Sequence, residues 1–213
     1  HNINLSIFNK ENAATTVAST ISIASKFQIR FFATGGIGGV HLNAENTNDV
    51  SADLYALSEN SNFVICSGAK SILDLSKTNE LLETLGITRI GYQTNYMPGF
   101  WYEETENKVD NKFDEIHEIS SFLKLNENMG NKKSILIFNK VPLEKALNKN
   151  DVEKWINNAT IKADRNNISG KELTPFLIKE INEQSKNETL NANVSLIINN
   201  ANLAGKIAKS FYS

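Results

Sequence analysis

The sequence has little cysteine, little proline and almost no net charge. Its single cysteine, Cys66, excludes a disulfide within the 213 residues and is typical of a reducing compartment, so we expect a cytoplasmic location. The 22 basic and 24 acidic residues give a formal charge of −2, without the basic excess of a nucleic-acid-binding surface. No apolar run reaches the ~18 residues that a membrane helix needs. The sequence therefore predicts a protein that binds neither nucleic acid nor membrane.

What is present is ordinary for a globular protein. Hydrophobic residues make up 40% of the chain and charged residues 22%, so a sizeable core can form without disulfides. The length fits one domain, and we expect it to span residues 1–213. Asparagine recurs within apolar-periodic segments, and we attribute this mainly to compositional bias; examples are Asn193, Asn199 and Asn200.

Hydrophobic periodicity alternates along the chain between short continuous runs and helical spacing. Strands are predicted over 28–34, 62–66, 87–92 and 134–138, and helices over 11–26, 51–57, 71–85, 110–125, 151–165, 174–185 and 190–211. The polar stretch 103–112 is predicted to be an exposed loop. Strands separated by helices indicate an α/β fold, with a mostly parallel sheet sandwiched between helices in α/β/α layers and a helical C-terminal part.

Three segments directly follow predicted strands, where open α/β sheets bind their ligands. They are TGGIGGVH (34–41), SGAK (67–70) and QT (93–94). Clustered glycines let backbone N–H groups approach an anion closely, although glycines alone more often form tight turns than phosphate-binding loops. A dinucleotide fingerprint needs glycine where this chain has His41, and the Gly-Lys-Ser/Thr of a Walker loop is absent.

Lys70 is the strongest candidate for a catalytic residue. The spacing predicts that it follows a buried strand and opens an apolar helix, where a cation is disfavoured by the helix dipole. One interpretation is a surface lysine at a helix start. The other is an amine nucleophile whose pKa is lowered by burial and by the helix N-terminus.

Two aspartates flank a serine in the sequence DVSAD (49–53). If Ser51 caps the following helix, Asp49 lies in the preceding loop and Asp53 in the first turn. Two carboxylates arranged in this way could divide their roles, one holding a hard divalent metal and the other handling protons, although plain helix capping explains the pattern as well. His41 either orients a substrate or phosphate or is structural. Cys66 is interpreted as a small buried hydrophobe.

Seven strings across the chain resemble the pseudouridine-5′-phosphate glycosidases, also called indigoidine-synthase-A-like proteins. They occur in that family's order and include the unusual GGIGGVH and GAKSILD. The strings are AATTVAST (13–20), FFATGGIGGVH (31–41), DVSADL (49–54), CSGAKSILDL (66–75), LETLG (82–86), ISGKELTPFL (168–177) and LNANVSLIINNANLA (190–204).

The resemblance implies reversible cleavage of the C–C glycosidic bond of pseudouridine 5′-phosphate, giving uracil and ribose 5-phosphate. It implies a divalent metal, typically Mn²⁺, a homotrimeric assembly, and a lysine Schiff base with the ring-opened sugar. Lys70 matches the Schiff-base lysine and Asp49 the metal ligand, and Asp53 is expected to act in proton transfer. The substrate-binding residues expected from the matched strings are Val17, Thr34, His41, Ser51, Ala52, Asp53 and Asn193.

Two departures from the family pattern qualify this expectation. A glutamate general acid in an ESTIISHG-like string, and a substrate-contacting lysine beyond it, have no counterpart in these residues. We therefore expect the chain to lack the family's N-terminal segment, and the alternative function is a catalytically incomplete sugar-phosphate-binding remnant. The stretch QTNYMPGFWYEE (93–104) also departs from the family's GTDEFPAFY pattern.

Overall fold

The fold is built on one five-stranded sheet. The structure, a computed structural model, describes the backbone of residues 3–213 and the side chains of 3–170 and 172–213. All strand pairs are parallel, and the spatial order is β1-β2-β5-β3-β4. The strands are β1 (Phe31–Ala33), β2 (Phe63–Cys66), β3 (Thr88–Tyr92), β4 (Asn111–Phe113) and β5 (Ile135–Phe138).

Helices connect the strands and extend the chain beyond the last of them. Those before β5 are α1 (Ile3–Asn9), α2 (Val17–Lys26), α3 (Ala44–Thr47), α4 (Ala52–Glu59), α5 (Leu75–Thr84) and α6 (Ile116–Asn128). Those after β5 are α7 (Lys149–Arg165), α8 (Leu173–Gln184) and α9 (Glu188–Tyr212), with short 3₁₀ turns at Leu143–Lys145 and Gly170–Glu172. The helical C-terminal part is thus present.

The two faces of the sheet have separate hydrophobic cores. Alternate residues of a strand point to opposite faces, and every side chain of β2 is buried. Val64 and Cys66 belong to the core that includes α2, α4 and α5, whereas Phe63 and Ile65 belong to the core formed with α6 and the C-terminal half of α9. A parallel sheet covered on both faces confirms the α/β/α architecture.

Several predicted boundaries were wrong. α2 begins at Val17, not at residue 11, and the predicted helix 110–125 contains β4 before α6 begins at Ile116. The most consequential difference concerns α5, which begins at Leu75 because the Asp74 side chain caps it by accepting the Lys77 N–H at 2.9 Å. Lys70 therefore does not open a helix.

No helix within residues 3–213 combines the length and the apolar character that crossing a membrane requires.

Candidate functional site

A cavity of about 750 Å³ opens at the carboxyl ends of β1 and β2. Its walls come from α2, the glycine segment 34–41, the Ser51–Asp53 turn, Lys70 and α9, which lie far apart in the sequence. Every residue predicted for the site lines this cavity: Val17, Thr34, His41, Asp49, Ser51, Ala52, Asp53, Lys70 and Asn193. The fold thus brings together the nine residues that the sequence assigned individually to the site, although not the segment 93–94.

Lys70 is held in the cavity wall by backbone pairing with the glycine segment. Beyond the strands, the Ile37 N–H donates to Gly68 O at 3.1 Å and the Lys70 N–H donates to Ile37 O at 3.1 Å. Gly68 has φ +88°, and a Cβ there would collide with the Pro98 carbonyl, so this turn requires glycine. The side chain of Lys70 forms no ion pair with any described carboxylate, which leaves its amine available to a ligand.

Asp53 joins two walls of the cavity. It is buried, and its Oδ1 accepts the Ala18 N–H of α2 at 2.8 Å while Oδ2 accepts the Gly38 N–H at 2.8 Å. A side chain at Gly38 would overlap Ser51 and Asp53, so the glycine permits this close approach. Ser51 caps α4 as predicted, and its Oγ accepts the Asp53 N–H at 3.2 Å.

Asp49 and His41 face each other across a small backbone hairpin. The His41 N–H donates to Asp49 O at 3.0 Å, the Ser51 N–H donates to Gly39 O at 2.9 Å, and His41 Nδ1 lies 3.9 Å from Asp49 Oδ2. Among the described residues no group of three or more His, Cys, Asp or Glu side chains is placed to hold a metal. A lone, partly exposed carboxylate fits only a hard divalent cation that keeps most of its water, as Mg²⁺-like ions do.

Two asparagines of α9, Asn193 and Asn200, form hydrogen bonds to distant segments of the chain. The Asn193 Oδ1 accepts the indole N–H of Trp101 at 2.8 Å. Asn200 is fully buried; its Nδ2 donates to Thr34 O at 2.9 Å and to Ser67 Oγ at 3.0 Å. The Asn200 bonds fasten α9 to the segments that follow β1 and β2, and the Asn193 bond fastens it to the loop after β3.

Cys66 does not contribute to the cavity. The thiol is buried at the end of β2, and burial raises its pKa to about 12. It is therefore protonated and unreactive as a nucleophile at neutral pH. This confirms its interpretation as a small buried hydrophobe.

The third segment expected at the site lies elsewhere. Gln93 and Thr94 follow β3, which is separated from β2 by β5, and Thr94 donates to Glu104 Oε1 at 2.8 Å. The cavity instead receives Phe100 from the loop that follows, and sequence reasoning missed this contribution. The sequence signal for this contribution was the aromatic pair of the MPGFW string. In the structure the Phe100 N–H donates to Ser67 O at 3.1 Å, which brings this pair back to the end of β2.

A family model described as "Indigoidine synthase A like protein" matches residues 1–210. Together with the α/β/α sheet and the lysine-containing cavity, this defines the class, and the chain belongs to the indigoidine-synthase-A-like family. The resemblance seen in the sequence is thereby confirmed.

Curated relatives carry a more specific name. The chain is 47% identical over 200 residues to the pseudouridine-5′-phosphate glycosidase of Petrotoga mobilis, covering 94% of this chain and 65% of that protein. It is 41% identical over 201 residues to the enzyme of the same name from Escherichia coli K12, covering 94% and 64%. The chain therefore spans about two thirds of the length of these relatives.

Solved structures show the same fold. The prealnumycin C-glycosynthase AlnA in complex with ribulose 5-phosphate superposes with a TM-score of 0.92 at 31% identity, covering 99% of this chain and 69% of that one. An indigoidine synthase A-like protein from Thermotoga maritima gives a TM-score of 0.89 at 34% identity, covering 97% and 68%.

Proposed function

We propose that this chain forms the sugar-phosphate site of a pseudouridine-5′-phosphate glycosidase. The reaction is reversible cleavage of the C–C bond between C1′ of the ribose and C5 of uracil. The observation that carries the proposal is Lys70, which lines a cavity beside Asp53 and Ser51 and forms no ion pair with a described carboxylate. The names of the relatives, and a neighbour that binds a five-carbon sugar phosphate, support the same chemistry.

Cleavage of a C-glycoside needs covalent catalysis because the atom that leaves C1′ is a carbon. In the proposed sequence, Lys70 Nζ forms a bond to C1′ while the C1′–O4′ bond breaks, and the proton that the new C1′–N centre must lose passes to O4′, which restores the lone pair on nitrogen. The nitrogen lone pair then forms a C1′=N iminium as the C1′–C5 bond breaks. The electron pair of the broken bond stays on C5, which takes a proton, and uracil is released. Water hydrolyses the iminium, which yields ribose 5-phosphate and frees the amine.

The polar residues of the cavity bind and orient the opened sugar. Ser51 and His41 offer hydrogen bonds at the glycine-rich wall. Both oxygens of Asp53 already accept backbone N–H groups. This arrangement favours a positioning role for Asp53, with proton transfer requiring one of those bonds to open.

A second candidate function follows from the cavity's carboxylates. Among the described residues that line it, the acidic side chains are Asp49, which faces His41, and Asp53, which is bonded twice to the backbone. Neither stands unengaged as a general acid, a group typically worth about 10²–10⁴-fold in rate. A site that binds ribose 5-phosphate without turnover is the corresponding alternative.

The deciding experiment measures uracil release from pseudouridine 5′-phosphate by chromatography, together with borohydride trapping of ribose 5-phosphate. Reduction of the iminium should attach the sugar phosphate to Lys70, identified by peptide mass spectrometry. We expect Lys70→Ala to fold normally, to lose trapping and to lose turnover by roughly 10³-fold or more.

Lys77→Ala is the matched control, because Lys77 lies on α5 outside the cavity and pairs with Glu45 at 2.7 Å. It should trap and turn over as the parent does. Trapping at another lysine would overturn the Schiff-base assignment. Sugar binding and trapping without uracil release would select the second candidate.

We further propose Mn²⁺ as the metal, held by Asp49 through one carboxylate and otherwise by water, which would organise the polar end of the site. The homotrimer implied by the family and a cytoplasmic location are also proposals. The trimer is tested by sedimentation of the full chain. The single buried thiol supports a reducing compartment.

A further inference from the structure

Thr78 lies on α5, a helix none of whose described residues lines the cavity. Its side chain is fully buried, and its hydroxyl forms two hydrogen bonds. The oxygen accepts the Val40 N–H at 2.9 Å, and the hydroxyl donates to Asp74 O at 2.7 Å. A hydroxyl has one proton to donate, so the bond to Asp74 leaves the Thr78 oxygen as the acceptor for Val40.

Val40 belongs to the small hairpin of residues 39–41 and 49–51, which we call the cavity hairpin. The bonds that close this hairpin use the backbone groups on either side of Val40, and the pair formed by Val40 and Val50 is not hydrogen-bonded. In such a pair the N–H and C=O point away from the partner strand. Both groups of Val40 bond to the start of α5 instead, the N–H to Thr78 and the C=O to the Asp74 N–H at 2.9 Å.

The close contact between Thr78 and the cavity hairpin requires glycine at position 39. A Cβ on Gly39 would overlap both branches of the Thr78 side chain. The glycine segment is thus held at two points that are two residues apart, where Asp53 of α4 accepts the Gly38 N–H and Thr78 of α5 accepts the Val40 N–H. Packing against α5 therefore accounts for one glycine of the GGIGG string.

We propose that Thr78 is a positioning residue for the sugar-phosphate site. Its hydroxyl holds the cavity hairpin against α5, and the hairpin carries three cavity-lining residues, His41, Asp49 and Ser51. A ligand that contacts several walls at once is sensitive to a small displacement of one of them. This inference rests on the proposed function, because it assumes that these walls bind the sugar phosphate together.

The test compares Thr78→Ser with Thr78→Ala, which both lack the methyl group and differ from each other by one oxygen. Amide hydrogen exchange of Val40 and His41, followed by NMR, reports on the cavity hairpin without any ligand. Exchange of Ile137, fully buried in β5, serves as the reference for global unfolding. Relative to Ile137, we expect both hairpin amides to exchange about tenfold or more faster in Thr78→Ala and within about threefold of the parent in Thr78→Ser.

Binding of ribose 5-phosphate is the second measurement, made by calorimetry on the same proteins. We expect the dissociation constant to rise by about fivefold or more in Thr78→Ala and to stay within about twofold of the parent in Thr78→Ser. Should Thr78→Ala not fold, Thr78→Val, which keeps the volume of the side chain, takes its place in both measurements.

Ser134→Ala is the matched control because it removes the same oxygen from the same bonding pattern. Ser134 is fully buried, and its hydroxyl accepts the Asn62 N–H at 3.3 Å and donates to Asn60 O at 2.6 Å. It precedes β5, so it lies at the amino end of the parallel strands, away from the cavity at their carboxyl ends. This variant should bind ribose 5-phosphate within about twofold of the parent and keep the exchange of His41 relative to Ile137.

The outcomes separate this inference from the proposed mechanism. Equal hairpin exchange in Thr78→Ala and Thr78→Ser, or equal ribose 5-phosphate affinity in these two variants, would overturn the role of Thr78. A similar loss of affinity in Ser134→Ala would also overturn it, because the effect would then be one of stability alone. A parent that binds ribose 5-phosphate but is not trapped at Lys70 by borohydride would overturn the covalent mechanism and leave the positioning role standing.

Discussion

The carboxylate of Asp53 accepts the backbone N–H of Gly38 at 2.8 Å, and its second oxygen accepts the N–H of Ala18 at the same distance. One buried side chain thereby fastens the start of α2 to the glycine segment. Both segments line the cavity that also contains Lys70. The stability of the fold and the shape of the site are consequently linked through this residue.

Asp53→Asn should destabilise the protein. The amide keeps one acceptor but sets an NH₂ group against a backbone N–H, which leaves a buried donor without a partner. We expect a loss of about 1–3 kcal/mol in the free energy of unfolding, measured by urea denaturation. Glu59→Gln, at an exposed position at the end of the same helix, is the control and should change stability by less than about 0.5 kcal/mol. Equal effects of the two changes would contradict this role.

Asn200→Leu should be the more damaging substitution. Asn200 Nδ2 donates to Thr34 O and Ser67 Oγ, and its Oδ1 accepts Asn139 Nδ2 at 3.0 Å, so leucine would leave several buried groups unpaired. We expect a loss of about 2–4 kcal/mol by urea denaturation. Asn191→Ala, exposed on the same helix, should stay within about 0.5 kcal/mol. A mild effect at Asn200 would show that the surrounding groups find water instead.

Asp49→Asn should weaken manganese binding by about tenfold or more, because it removes the negative charge that a hard cation requires. Calorimetric titration of Mn²⁺ measures this directly and needs no catalytic activity. Glu45→Gln serves as the control, since Glu45 is exposed on α3 and pairs with Lys77 at 2.7 Å outside the cavity. An unchanged titration in Asp49→Asn would place the ion elsewhere.

Cys66 should make the stability fall at alkaline pH. Burial raises its pKa from the ordinary 9.0 to about 12, so the folded thiol keeps its proton while the unfolded thiol loses it. Its contribution is complete below pH 9.0 and is lost as the pH rises toward about 12, with a slope approaching ~1.4 kcal/mol per pH unit. Cys66→Ala should remove this part of the slope in denaturation curves measured across the interval. A parent and variant with parallel curves would contradict the assignment.

Thiol labelling gives an independent reading of the same residue. The thiolate is the reactive species, so a disulfide reagent should label the folded chain only as fast as it unfolds. In denaturant, the single thiol should react at once.

Much of this architecture was predictable from local patterns. Continuous apolar runs such as Phe63–Cys66 indicated strands buried on both faces, and the helical spacing between them indicated crossovers and a parallel sheet. The predicted cap at Ser51 was also correct, since a capping bond joins residues only two positions apart. Patterns of this kind depend on residues that are close together in the sequence, so they can be predicted from the sequence alone.

The start of α5 was not predictable in this way. Residues 71–74 share the apolar spacing of the helix, but their backbone pairs with the glycine segment, where the Asp74 N–H donates to Val40 O at 2.9 Å. A tertiary hydrogen bond thus replaced the helical one, and α5 began at Leu75. The strand β4 was missed for a related reason, because Asn111–Phe113 is mostly exposed and gains its strand geometry only from pairing with β3.

The sequence by itself determined the class of fold, the order of its strands and helices, and the family to which its motifs point. Only the tertiary structure decided that the nine predicted site residues share one cavity, that Asp53 is bonded to two backbone segments and that the Trp101 indole N–H donates to Asn193. The reason is physical. Hydrophobic periodicity and helix caps reflect interactions between residues a few positions apart. A hydrogen bond between residues 92 positions apart exists only after the sheet has formed and α9 has packed against it.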